Sequence, residues 1–181
     1  MACTRDNGAN IVAALNILDI EDIPCLAHTL QLVINDGVLK AKGVQDMIST
    51  ARKIVGHYNH SVVSTNCLET MQTKLGCVKH SLIQDVETRW NSTYYMLERL
   101  LEQRRALSVA NAELNIKTEL TQGQWSLAEK VVNVLAPIEE VTRECGKSSA
   151  SASLIIPVIS AIRNKLKVST LFFFFNVVSV M

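Results

Sequence analysis

The stretch Trp90-Asn91-Ser92-Thr93-Tyr94-Tyr95-Met96-Leu97-Glu98-Arg99-Leu100-Leu101-Glu102-Gln103-Arg104-Arg105-Ala106-Leu107 decides the fold. Trp90, Tyr94, Leu97, Leu101 and then Ala106 or Leu107 recur at the 3.6-residue period of a helix with one buried stripe. The spacing predicts a long amphipathic helix. Just before it, Leu82 to Glu87 is a short apolar run bounded by turn residues, which fits strand or loop alike and is expected to be extended.

Toward the N-terminus, Ile11, Ala14, Leu15 and Leu18 keep helical spacing, with Asp6 and Asn7 as start signals, so a helix is expected to open right after Asp6. Another opens near Pro24, tolerated in a first turn, carries Leu26, Leu30, Val33 and Ile34 on one side, and ends near Gly37 or Lys40. Val44, Met47, Ile48, Ala51, Ile54 and Val55 describe a third, closing at His57 to His60. Leu68, Met71 and Leu75 suggest a short fourth, stopped at Gly76. Downstream, Thr121 and Gln124 form a capping box opening a helix through Leu127, Val131, Leu135 and Ile138, which Pro137 is expected to kink. Gly146 and the run Ser148 to Ser153 end it, and Leu154, Val158, Ala161, Ile162 and Leu166 form a last helix. No strand alternation persists and no internal repeat appears, so the chain is expected to be mainly α.

With 48% hydrophobic residues among 181, the chain can bury a sizeable core. Its net charge of +1 gives no global pull toward nucleic acid or membrane, so any polyanion contact must be local. Five scattered cysteines, Cys3, Cys25, Cys67, Cys77 and Cys145, fit a reducing intracellular compartment. The segment 168–181 holds all four phenylalanines in one run, Phe172 to Phe175, and is shorter than the roughly 20 residues of a membrane-spanning helix. No membrane partner is expected.

No Gly-rich phosphate loop and no long basic run is present, so most enzyme classes receive no support. Two Cys-x-x-His pairs, Cys25 with His28 and Cys77 with His80, could in principle supply four zinc ligands. A buried cysteine beside a hydrogen-bonded histidine is the plainer reading of each. His57 and His60 fit a solvated helix end. Asp6 read alone is a helix N-cap, and Trp90 read alone is a core anchor with Arg89 beside it.

Three stretches change that balance. Thr4-Arg5-Asp6-Asn7-Gly8-Ala9-Asn10-Ile11-Val12, Pro24-Cys25-Leu26-Ala27-His28-Thr29-Leu30-Gln31-Leu32 and Gln84-Asp85-Val86-Glu87-Thr88-Arg89-Trp90-Asn91-Ser92-Thr93-Tyr94-Tyr95-Met96-Leu97, in that order, resemble hAT-superfamily transposases and the BED-type zinc-finger proteins derived from them. The resemblance covers about residues 2 to 167. It implies an RNase H-like core in which two aspartates and a glutamate hold divalent metal ions, with a large helical insertion between the second and third carboxylates. Asp6 matches the second carboxylate, although Arg5 stands where family members often have a small or hydroxyl residue.

By the same resemblance, Cys25 and His28 support the active site, while Arg89 and Trp90 meet the DNA end. A partly exposed Trp90 could stack on a base while Arg89 engages phosphate. The expected fold is thus the helical insertion region of a truncated RNase H-like transposase core, with at most a remnant of strand near Ala2 to Arg5. The expected organisation is 1–20 a core remnant, 21–167 the helical insertion and 168–181 an aberrant hydrophobic tail.

The expected function is that of a fragment of a nuclear, DNA-binding, transcription-regulating protein. It is expected to be catalytically incomplete, since two of the three metal-binding carboxylates would lie elsewhere. The fragment needs no cofactor on this view, whereas an intact transposase relative takes Mg or Mn. Weak DNA binding is expected for the chain and a homo-oligomer for the intact protein. A helical protein-interaction module with no DNA role is the alternative, and a zinc-stabilised domain is a third.

Overall fold

The computed structural model describes residues 3–146, 153, 155–157 and 159–164. Backbone contacts divide the chain into two units, Leu39–Ala136 and Met1–Val38 with Pro137–Met181.

In the unit Leu39–Ala136, helix α3 (Lys42–His60) buries Val44, Met47, Ile48, Ala51, Ile54 and Val55, the stripe its periodicity predicted, and Tyr58 as well. Ser61 ends it with an extended backbone and begins α4 (Val62–Lys74), its Oγ accepting the Ser64 N–H at 3.2 Å. A hydroxyl that accepts an orphan amide of the first turn is the usual start of a helix. Helix α4 runs longer than predicted and packs on α3 and on α6 (Arg104–Glu113). Gly76 follows at φ +64°, where residues with a Cβ are strained.

The long helix expected from Trp90 to Leu107 is broken. Helix α5 (Trp90–Glu102) and helix α6 (Arg104–Glu113) are separated by Gln103, whose φ of −92° and ψ of 5° are not helical. Gln103 is fully buried, and a buried amide must find partners. Its Nε2 donates to the Val78 carbonyl at 3.0 Å, and its Oε1 accepts from Gln72 Nε2 at 2.9 Å. Gln72 also donates to the His80 carbonyl at 2.8 Å. These bonds tie segment 77–81 to the break. The segment Leu82 to Glu87, expected to be extended, forms no ladder and is a loop with Leu82 and Asp85 buried.

Helix α7 (Gln122–Cys145) opens on the predicted capping box: Thr121 Oγ1 accepts from Gln124 N at 3.2 Å, and Gln124 Oε1 accepts from Thr121 N at 3.0 Å. Thr121→Ala is expected to lower stability by about 1 kcal/mol, read as a small drop in the urea midpoint with an unchanged slope. Pro137 lies inside α7, and the helix up to Ala136 belongs to this unit.

In the other unit, β1 (Cys3–Arg5) pairs in parallel with β2 (Asp22–Pro24), in register Cys3↔Asp22, Thr4↔Ile23 and Arg5↔Pro24. Helix α1 (Ala9–Leu18) connects them. Parallel neighbours require such a crossover. The sequence reading missed β2 because three residues cannot show alternation, and it placed Pro24 in a helix. Pro24 instead ends the strand, a position where a missing N–H costs little. Arg5 and Asp22 form an ion pair across the two strands.

Helix α2 (Leu26–Ile34) follows and relaxes into a π-helical turn, Asn35–Leu39. Leu15 is buried, while Ile11, Ile17 and Leu18 of α1 and Val33 of α2 are exposed. The later part of α7 and the helical residues 155–157 and 159–164 also belong here, with Ile138, Glu139 and Ile162 buried. The tail 168–181 and the stripe positions Leu154, Val158 and Leu166 lie outside the described residues.

Candidate functional site

The loop before α5 is fixed by one carboxylate. Arg52 of α3 reaches Asp85 with two groups, Nε at 3.0 Å from both carboxylate oxygens and Nη2 at 2.8 Å from Oδ2. This forked geometry is the strong form of the arginine–carboxylate pair. Thr93 of α5 adds a hydroxyl donor to Oδ2 at 3.0 Å, and Gln84 Nε2 approaches Oδ1 at 3.2 Å. Asp85 thereby joins α3, its own loop and α5.

Burial by itself pushes the Asp85 carboxyl up. The hydrogen bonds from Arg52 and Thr93, the Arg52 charge and the Gln84 bond outweigh it, so the group lies below the usual carboxylate value of 3.8. The Arg52 pKa rises in turn, chiefly through its hydrogen bond to Asp85. Glu87 makes a second contact to Arg52 at 3.0 Å but is largely exposed, so it adds little.

A tight turn completes the clasp. Arg89 N donates to the Val86 carbonyl at 2.8 Å, and Ser92 Oγ accepts from Val86 N at 2.8 Å. The same hydroxyl lies 2.6 Å from the Arg89 carbonyl and 2.9 Å from the Val86 carbonyl, and its one proton serves one of them at a time. This turn sets where Arg89 and Trp90 point. Trp90 is 1% exposed, among the largest fully buried side chains of the unit. Arg89 is exposed, and its side chain forms no hydrogen bond or ion pair among the described residues.

The expected partial exposure of Trp90 is therefore corrected. The stripe has room for it because α5 also buries Thr93, Tyr94, Met96, Leu97 and Leu100, so the first turn points inward with the rest. A ring with no accessible face cannot stack on a base.

Asp6, Cys25 and His28 lie in the other unit. Asp6 follows β1, and the Cys25 N–H donates to the Arg5 carbonyl at 2.6 Å, so both residues stand at the carboxyl ends of the paired parallel strands. Asp6 is not the N-cap of α1. Gly8 holds that position, and Asp6 Oδ1 accepts the Gly8 N–H at 3.0 Å in a short side-chain turn. Cys25 is the N-cap of α2 without a side-chain bond, and its carbonyl accepts the Thr29 hydroxyl at 3.0 Å. Cys25 and His28 are half-buried. Cys145 has its thiol pushed up by burial first and then by Cys25 and Glu144. Cys25, Cys67, Cys77 and Cys145 are free thiols.

Cys77 and His80 do not share a helical face, because both lie past the end of α4, and His80 Nδ1 is engaged by Glu102 at 2.8 Å. Among the described residues no group of three or more His, Cys, Asp or Glu is placed to hold a metal ion. No described helix is long and apolar enough to cross a membrane.

Residues 23–134 match the family described as the ZBED1 RNase-like helical domain. The chain is also 30% identical over 164 residues to human zinc finger BED domain-containing protein 4, covering 91% of this chain and 14% of that protein. It is 33% identical over 156 residues to human zinc finger BED domain-containing protein 6, covering 85% of this chain and 16% of the relative. The mouse form of that second protein is 32% identical over 156 residues, with the same coverage. The chain thus spans about a seventh of the length of these relatives. Its helical content and these matches agree: the chain belongs to the ZBED1 RNase-like helical domain family, among the hAT and BED-type transposase-derived proteins.

Proposed function

We propose that this chain is the helical module of a nuclear, DNA-binding, transcription-regulating protein and performs no strand cleavage itself. The observation that carries the DNA reading is Arg89, an exposed cation on a turn fixed by Val86 and Ser92 at the start of α5. A guanidinium at a helix N-terminus, where the helix dipole favours negative charge, is suited to phosphate oxygens. With Trp90 buried, the contact is electrostatic and indifferent to sequence, so target choice falls to other parts of the intact protein, such as the BED zinc finger that gives the relatives their names.

In-line displacement at phosphorus needs two metal ions held by several carboxylates. Asp6 offers one carboxylate at a strand end, and no three-ligand group accompanies it among the described residues. Mg or Mn is proposed for an intact relative with the full set, and no chemical step is assigned to this chain. Homo-oligomerisation is likewise proposed for the intact protein. The alternative, a protein-interaction module, is favoured by the exposed Ile17, Leu18 and Val33.

Fluorescence anisotropy with hairpin DNA separates the two. Binding is expected to be weak at low salt and lost at higher salt. Arg89→Ala is expected to weaken it and to reduce the salt slope by about 0.9, the share of one duplex phosphate. Affinity unchanged by Arg89→Ala, or no binding at low salt, would remove the DNA role.

A further inference from the structure

The helical unit buries an acceptor that none of its own donors meets. Gln72 of α4 is 1% exposed, and its amide nitrogen spends both protons, on the His80 carbonyl at 2.8 Å and on Gln103 Oε1 at 2.9 Å. Those bonds fix which end of the amide is oxygen. Gln72 Oε1 is buried and has no hydrogen-bond partner among the described residues. An acceptor removed from water and left without a donor is costly, so a donor that reaches it is held at a gain.

Next to that side chain, between the end of α3, α4 and residues 80–82, lies a cavity of about 20 Å³. Apolar Leu68 and Leu82 line it together with Tyr58, Thr65 and Gln72. The Tyr58 hydroxyl already donates to Asn111 Oδ1 at 2.7 Å, and the Thr65 hydroxyl to the Tyr58 carbonyl at 2.7 Å or the Ser61 carbonyl at 3.1 Å. Neither turns its proton on Gln72, but each oxygen keeps a lone pair that can accept. A single water requires about 10 to 15 Å³ of such space and about two to four polar partners. The cavity admits a water molecule and is far below what an organic ligand fills.

We propose that this cavity is the site of an internal water, which donates one proton to Gln72 Oε1 and the other to a wall hydroxyl, Thr65 Oγ1. A water that bridges two polar groups is nearly as good as a direct bond. It extends the run of hydrogen bonds from Gln103 through Gln72 into α4, so the polar tie that holds residues 77–81 at the α5–α6 break is wet at its inner end.

NMR of the full chain detects a held water through carbon-bound protons, which do not exchange with solvent. The methyl groups of Leu68 and Leu82 are expected to show cross-peaks at the water frequency with NOE and ROE of opposite sign, the pattern of a water that tumbles with the protein. Gln72→Leu removes the acceptor and is expected to abolish both cross-peaks. Ser81→Leu, at an exposed position on the cavity wall, fills the space, leaves the Gln72 amide in place and covers the case in which Gln72→Leu does not fold. Absence of the cross-peaks from the natural chain, NOE and ROE of the same sign, or cross-peaks that survive either folded variant would overturn the proposal.

Discussion

Asp85→Ala lowers the stability of the chain by about 2 to 4 kcal/mol, more than any other change of a single charged residue in the helical unit. Removing one partner of a buried pair costs about 3 to 5 kcal/mol because the other charge is stranded. Here the Arg52 side chain is 31% exposed and the Asp85 side chain 1%, so the guanidinium can recover some water and the loss falls about 1 kcal/mol below that range. Thr93 also loses its acceptor inside the core. Urea denaturation followed by circular dichroism measures the effect, and a loss under about 1 kcal/mol would show that the clasp is decoration.

The same pair sets an acid limit. The folded Asp85 carboxyl lies below its unfolded value of 3.8, so its contribution is fully present above about pH 4 and is lost as pH falls through the lower folded value. The stability difference between the natural chain and Asp85→Asn should therefore be constant at neutral pH and shrink under acid. A difference that grows as pH falls would have the wrong sign.

Trp90→Ala is expected to cost about 3 to 5 kcal/mol, the usual range for truncating a fully buried tryptophan. A domain of this size holds only about 5 to 15 kcal/mol in total, so most of its margin goes. Loss of the cooperative thermal transition, with a milder shift for Trp90→Phe, is the expected pattern. Retention of the natural midpoint by Trp90→Ala would mean that the side chain faces water.

Much of the helical unit was legible because its stripes are regular. The α3 residues Val44 to Val55 and the Thr121–Gln124 box are local patterns, and local patterns survive in a sequence. Gln103 was not legible, since a glutamine on a helix surface and one buried against Gln72 and Val78 look the same until the partner segment is known. Asp85 left a faint signal, an acid between Leu82 and Val86 in an apolar run, but nothing in the sequence joins it to Arg52, 33 positions earlier.

The site residues divide the same way. Family likeness singled out Arg89 and Trp90 as neighbours of equal standing, whereas the fold sends one to solvent and the other into the core. Adjacent residues at a helix start differ by about 100° in direction, so one stripe cannot serve both. Asp6 and Cys25 were read from separate motifs. Only the parallel pairing of β1 with β2, too short to announce itself, places them at neighbouring strand ends.

Fluorescence of Trp90 in a Trp125→Phe background shows whether the 84–94 stretch is a packing clasp that buries Trp90 while Arg89 stays exposed. Blue-shifted emission, shielded from iodide and unchanged when hairpin DNA binds at low salt, is expected, with binding followed independently by anisotropy. Quenching of Trp90 that tracks DNA occupancy would contradict it, because a ring enclosed by α5 and its neighbours has no face to offer a base.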